Sequence, residues 1–370
     1  MNRADDAASL DGKVSPVTFA LLRLLVEGKF HSGEMLAQRL GISRTSVSNA
    51  LRNVDALGLV LYSVRGKGYC LPYPPQWMQA EAILFHLKQN NSVAHLFKIE
   101  ILERASSTNT LLLQRAKVSE FNGGAPSGTV LAAEWQAGGR GRLGRRWHSG
   151  LGNALTFSLL WRFECGLSGL SGLSLAVGVA LIRALKKCGI QDVYLKWPND
   201  VLAKQSKLAG ILLEAQGDML GPSAVVIGIG MNIFAPQNVQ EKIGQPIISL
   251  AELVEPVPER NQLLAIILGE LQAVLQQFSA RGFAALREEW QSYHALQGQE
   301  VTLTLPDGST LRGTARGVNE SGALLLETAH GIREMNAGEI NVGEINVGEM
   351  SAKKTRAEKI RASKISAAKS

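Results

Sequence analysis

Apolar and polar positions change period several times along the chain, and each change marks an element. VTFALLRLLVEG, from Val17, keeps its apolar residues at helical spacing and stops at Gly28. SGEMLAQRL opens on a capping serine, Ser32, and stops at Gly41. GISRTSVSNALRNVDALG adds a glycine turn, a second cap at Ser43 and a helix whose polar face carries Arg44, Thr45, Ser48, Asn49 and Arg52. LVLYSVRGKGYCLP then alternates as a hairpin does, with Arg65, Gly66, Lys67 and Gly68 at its tip. This order over residues 17–71 predicts a winged helix-turn-helix. In such a motif, polar residues opening the second helix meet base edges and phosphates, and wing cations reach the DNA backbone. The candidate DNA contacts are therefore Ser43, Arg44, Thr45, Ser48, Asn49, Arg52, Arg65 and Lys67. A module for protein contacts, its arginines merely solvated, is the alternative. Operators read by these motifs are usually palindromic, which implies a homodimer.

Beyond residue 72 the pattern mixes strands and helices. GTVLAAEWQ, ALTFSLLW, SKLAGILLE and AVVIGIGMNI read as strands, the last two as a pair. SSTNTLLLQRA reads as a helix start at Ser107, Thr108 and Asn109. GLSGLSGLS reads as a loop feeding a buried helix; the weakly charged run 166–182 is short for a membrane span, so no membrane role is expected. From about residue 292 to 342, alternation with turn signals at PDG and NESG predicts a small barrel of short strands. The division expected is 1–72, 73–290, 291–350 and a basic tail, 351–370, in an α+β protein.

One loop raises a question of chemistry. GGRGRLGRRWHSG satisfies G-x-G-x-x-G through Gly139, Gly141 and Gly144, the mark of a dinucleotide site. That site needs a helix opening directly after the glycines; here an apolar strand follows, so the NAD reading loses its context. What remains is four arginines, 140, 142, 145 and 146, within seven positions. Their mutual repulsion and the glycine content predict a mobile empty loop, which a phosphate or carboxylate could order through charge-assisted hydrogen bonds. A solvated surface loop or an RNA contact stays open on this segment alone. KWPNDVL places Lys196 at a strand end before a sharp turn, and Lys207, Asn153 and Asn232 also fall at strand ends.

Charge refines the picture. Of the net +7, the last twenty residues hold seven Lys or Arg against one Glu, and residues 1–70 hold nine against six; the middle is nearly neutral. The tail reads as a solvated extension. MNRADDAASLDG has early acids and no apolar core, so no secretory leader is expected. Cys70, Cys165 and Cys188 form no CxxC, and the six histidines have no metal-ligand spacing, so reduced thiols in a cytoplasm and no metal site are expected.

GRGRLGRRW, KWPNDVL, KLAGILLE and GIGMN, in this order behind a winged helix, resemble the bacterial biotin-protein ligases that double as biotin-operon repressors. The similarity spans roughly residues 17–342. It implies a central mixed sheet with helices, in the class II aminoacyl-tRNA synthetase-like biotin ligase fold, and a C-terminal SH3-like barrel. It also implies ATP with Mg2+ and biotin as substrates, with biotin the precursor of a corepressor. Biotinyl-adenylate would form and pass its biotin to a lysine of a biotin carboxyl carrier protein, while operator DNA binds a dimer.

By matching motif positions, the resemblance puts biotin contacts on Ser107, Thr108, Asn109, Gln136, Arg140, Gly141, Arg142 and Lys207. Trp147 and Asn232 fall near the adenylate, and Lys196 near the phosphates. Lys207 would neutralise the carboxylate, and Arg140 and Arg142 would close over the adenylate phosphate. Two departures stand out: Leu143 where the family often has arginine, and one residue fewer before Asn153. GEINV also occurs twice, from Gly338 and from Gly343, which puts in doubt any ATP contact carried onto Glu339 or Glu344. A non-catalytic biotin sensor and a lipoate or octanoate ligase are the rival readings.

Overall fold

Serine caps set the first three helices where the pattern puts them. The computed structural model describes residues 14–90, 93–117, 124–148, 150–235 and 245–342. Helices α1 (Pro16–Leu24), α2 (Gly33–Leu40) and α3 (Arg44–Leu51) start at Ser15, Ser32 and Ser43, whose side chains accept from Thr18 N, Met35 N and Ser46 N. Phe19, Leu21, Leu22, Leu36, Val47 and Leu51 close the core between them. Strands β1 (Tyr62–Val64) and β2 (Gly68–Cys70) form the antiparallel wing, paired Tyr62 to Cys70 and Val64 to Gly68.

After helix α4 (Ala80–Asn90), a seven-stranded sheet carries the chain in the order β3-β4-β5-β9-β8-β7-β6. Its strands are β3 (Lys98–Ala105), β4 (Thr129–Gln136), β5 (Ala154–Phe163), β6 (Tyr194–Lys196), β7 (Asp200–Ala203), β8 (Ser206–Gly217) and β9 (Ser223–Asn232). Only β3 and β4 run parallel; the other neighbours are antiparallel. Helix α5 (Thr108–Ala116) crosses between β3 and β4, as a parallel pair requires. Strands β5 and β9 are buried almost throughout, which accounts for their continuous apolar runs.

Helices α6 (Leu173–Lys187) and α7 (Arg260–Arg281) pack together beneath the sheet, and the short α8 (Arg287–Ser292) follows. Among the described residues α7 alone has the length and hydropathy of a membrane span, but 67% of that stretch is buried inside the fold, as befits a core helix. Cys188, at the end of α6, has its thiol pushed up by burial, so it stays protonated and inert.

The winged helix does not stop at its own boundary. Its apolar cluster includes Trp135 of β4 and Leu151 from the segment before β5. Leu151 N donates to Leu57 O at 2.7 Å, and Asn153 Nδ2 donates to Gly58 O at 3.1 Å. Arg23 lies 4.1 Å over the Trp77 ring and pairs with Glu103.

The linker after the wing is clamped by a fully buried ion pair. Arg260 Nη1, at the first turn of α7, donates to Glu134 Oε2 at 2.8 Å and to Gln76 O at 2.6 Å; Nη2 donates to Ala154 O. Glu134 Oε1 accepts from Met78 N at 2.6 Å. Both side chains are 0% exposed; the hydrogen bonds accepted by both Glu134 oxygens and donated by Nη1 and Nη2 of Arg260 offset the cost of burying the charges, while Arg260 Nε is buried without a partner.

The chain falls into two units. Residues up to Ala295 with Val318–Ala323 form the first; Leu296–Gly317 and the chain from Leu324 form the second. The second unit is a five-stranded sheet, β13-β12-β11-β10-β14, built from β10 (Glu300–Thr304), β11 (Thr310–Val318), β12 (Leu324–Thr328), β13 (Gly331–Met335) and β14 (Glu339–Val342). The first GEINV copy forms β14, with Ile340 opposite Leu303 and fully buried. The second copy and the basic tail lie outside the described residues.

Candidate functional site

The arginine loop joins β4 to β5, and among the described residues no α-helix opens after Gly144, which removes the dinucleotide reading: a single 3-10 turn, Arg142–Gly144, is followed by a bridge at Arg146, a turn at 151–153 and β5. The loop folds back on itself. Gly141 N donates to Arg145 O at 2.7 Å and Trp147 N to Gly139 O at 2.9 Å, with a bridge between Arg140 and Arg146. A Cβ on Gly139 would lie 2.6 Å from Trp147 O, so glycine is required for that closure.

The repulsion that argues for a mobile empty loop is offset by protein partners. Arg140 Nη2 donates to Glu214 Oε1 at 2.7 Å and Nη1 to Thr110 Oγ1 at 3.0 Å. Arg142 Nη1 donates to Asn199 Oδ1 at 3.2 Å, and Asn199 is itself fixed to Ile211 in both directions. In this closed conformation each of the two arginines thus has a protein partner of its own.

Beneath the loop, the start of α5 forms one wall. Ser107 caps the helix, accepting from Thr110 N. Thr108 N donates to Gln136 Oε1 at 2.8 Å, joining α5 to the end of β4. Asn109 Nδ2 reaches Leu212 O and Glu214 Oε2, while its Oδ1 accepts from Ser158 Oγ at 2.6 Å. Ser107, Thr108 and Asn109 are all buried, so these hydrogen bonds offset the cost of desolvating them.

The opposite wall is β8 and its neighbours. Lys207 Nζ stands 2.8 Å from Asp200 Oδ1, with both side chains 17% exposed. That contact is an ion pair short of an aligned hydrogen bond, since Asp200 Oδ1 is buried without a donor. The Lys207 ammonium also sits 5.9 Å from the centroid of the Trp147 ring. Trp147 lies against Gly210 and Gly230; a Cβ on Gly230 would come within 2.4 Å of the indole. Its Nε1 is buried with no partner. Lys196 ends β6 opposite Asp200 in the register of β7.

The predicted residues thus gather on α5, β4, the loop, β8 and β9, but with different duties. Asn232 Nδ2 is spent on Lys207 O and Ile248 O, which holds the β8 and β9 ends together. Three residues went unremarked as site members: Ser158, a hydroxyl inside the apolar β5 run; Glu214, ending KLAGILLE; and Asp200, inside KWPND. The break of an apolar run by hydroxyls at Thr156 and Ser158 is the signal that could have found Ser158.

In the winged helix, Arg44, Thr45, Ser48, Asn49 and Arg52 are exposed along α3 while Val47 and Leu51 are buried. Arg52 Nη2 donates to Asn49 Oδ1 at 2.7 Å. Arg65 and Lys67 are exposed at the wing tip.

Comparison with known proteins matches this layout segment by segment. Residues 17–70 match the helix-turn-helix domain model, 101–232 the biotin/lipoate A/B protein ligase family and 297–343 the biotin protein ligase C-terminal domain. The chain is 36% identical over 327 residues to the bifunctional ligase/repressor BirA of Escherichia coli, covering 88% of this chain and 97% of that one. The chain belongs to the bifunctional biotin ligase/repressor family. The ligase/repressor of Bacillus subtilis is 31% identical over 84% of the chain. A solved biotin protein ligase from Aquifex aeolicus, in complex with biotin and ATP, aligns with a TM-score of 0.55 at 28% identity, over 66% of this chain and 97% of that one. The bifunctional family's two parts are thus both present, an enzyme of the biotin ligase fold behind a DNA-binding helix-turn-helix.

Proposed function

We propose that the loop, α5 and β8 bind biotin and ATP, that a biotin carboxylate oxygen attacks the α-phosphate, and that pyrophosphate leaves. The mixed anhydride, biotinyl-adenylate, then yields its acyl group to a lysine amine of a biotin carboxyl carrier protein, and AMP departs. The observation that carries this reading is the Lys207–Asp200 pair beside Trp147. Asp200 holds the Lys207 ammonium in place, yet its imperfect alignment leaves that group able to turn toward an incoming carboxylate and the acyl phosphate formed from it.

Gly210 and Gly230 make room for the Trp147 indole, which lies beside Lys207 and offers the nucleotide an aromatic surface. Arg142 and Lys196 supply further positive charge where the phosphorane develops. Ser107, Thr108, Asn109 and Gln136 line the pocket for the polar end of biotin. Mg2+ travels with the triphosphate and screens its charge. The folded loop excludes water from the anhydride.

With no carrier to modify, the adenylate-loaded protein pairs with a second copy and binds a palindromic operator through α3 and the wing. We place this chemistry in the cytoplasm, where its three unbridged cysteines persist. The test is pyrophosphate release that requires biotin and ATP together. Lipoate and octanoate arms decide the acid, and a biotin-dependent shift of operator DNA decides the regulatory half. Release without biotin, or none at all, would defeat the ligase assignment.

A further inference from the structure

The Arg140 guanidinium has both terminal nitrogens occupied by the protein, one by Glu214 and one by Thr110. Glu214, 18% exposed against 47% for Arg140, turns its second oxygen to Asn109 Nδ2. Asn109 and Thr110 are successive residues in the first turn of α5, so the pair closes a ring through the loop, β8 and α5. Asn109 cannot drift, because Ser158 Oγ and Leu212 O fix its amide. On the loop side, the backbone about Arg140 is bridged to Arg146.

We infer that Glu214 is a positioning residue for the ligase reaction: through Arg140 it props the base of the arginine loop against α5 and so holds the loop closed over the adenylate. The inference rests on the loop being the flap over the adenylate. A carboxylate at this spot would repel a phosphate if Arg140 were not there to neutralise it, which is a reason for the two to occur together.

The experiment uses the full chain. Glu214→Gln keeps an oxygen acceptor for Asn109 and removes only the charge facing Arg140. Preformed biotinyl-adenylate should dissociate about five-fold faster from this variant, the scale of one partly exposed ion pair. KM for biotin should rise similarly, with a smaller change in kcat for pyrophosphate release. Adding Glu214→Gln to Arg140→Gln should speed dissociation no further than Arg140→Gln does alone, because the brace is already gone.

Effects that simply multiply in the double variant would overturn the inference, as would an unaltered dissociation rate in Glu214→Gln. Thermal melting of each variant separates loss of fold from loss of brace. Lys207→Ala serves as the independent arm: if it leaves adenylate synthesis intact, the site reading fails, whatever the Glu214 result.

Discussion

Two arginine–glutamate pairs begin six residues apart in sequence, at Glu134 and at Arg140, and they live under opposite rules. Glu134–Arg260 is sealed from water and makes hydrogen bonds to Gln76, Met78 and Ala154, whereas Arg140–Glu214 stands at the rim with its arginine half exposed. The first fixes where the linker, β4, β5 and α7 meet. The second braces a loop that must admit a substrate. Burial makes an ion pair structural, and partial exposure keeps it exchangeable, because solvent can take over from either partner at small cost.

The largest effect should come from halving the sealed pair. Glu134→Ala strands the Arg260 charge and should destabilise the protein by about 3–5 kcal/mol, read as a lower urea midpoint. Replacing both residues with apolar side chains of similar volume should cost much less, which sharpens the distinction between a sealed charge and a sealed shape. Next comes Lys207→Ala, at the half-open Asp200 pair. Adenylate formation should fall by about a hundred-fold or more with little change in melting, the reverse of the Glu134 outcome.

Smaller still is Lys67→Ala on the exposed wing. Operator affinity should weaken across all sequences, with the salt slope reduced by about one.

The smallest effect belongs to Glu100–Arg115, where both side chains are 42% exposed. The hydrogen bond from Arg115 holds the Glu100 carboxyl below its ordinary value of 4.5. A depressed carboxylate stabilises the fold above that ordinary value and loses its contribution as pH falls through the folded one. Glu100→Gln should therefore narrow the gap between neutral and acid melting temperatures slightly. An unchanged gap would show the pair to be fully screened.

How much of this the sequence discloses depends on range. Caps at Ser32, Ser43 and Ser107 and the β8–β9 pairing are local signals, and each falls where the pattern puts it. The motif residues of the loop, KWPND and KLAG are likewise brought to one place. Glu134 with Arg260, Arg140 with Glu214 and Asn109 with Ser158 are separated by 126, 74 and 49 positions, and no local period links them. The same distance hides Trp135 and Leu151, which count as strand and loop by pattern yet sit in the core of the winged helix.

The doubled GEINV has a consequence for heredity rather than for mechanics. Ile340 fills the core of the C-terminal sheet from the first copy. Excising residues 338–342 or 343–347 leaves one and the same polypeptide, which still ends this region in GEINVGEM. A slip of the replication machinery that drops a single copy therefore cannot erase the strand, and the gene tolerates a class of deletion that would ruin a chain written with only one.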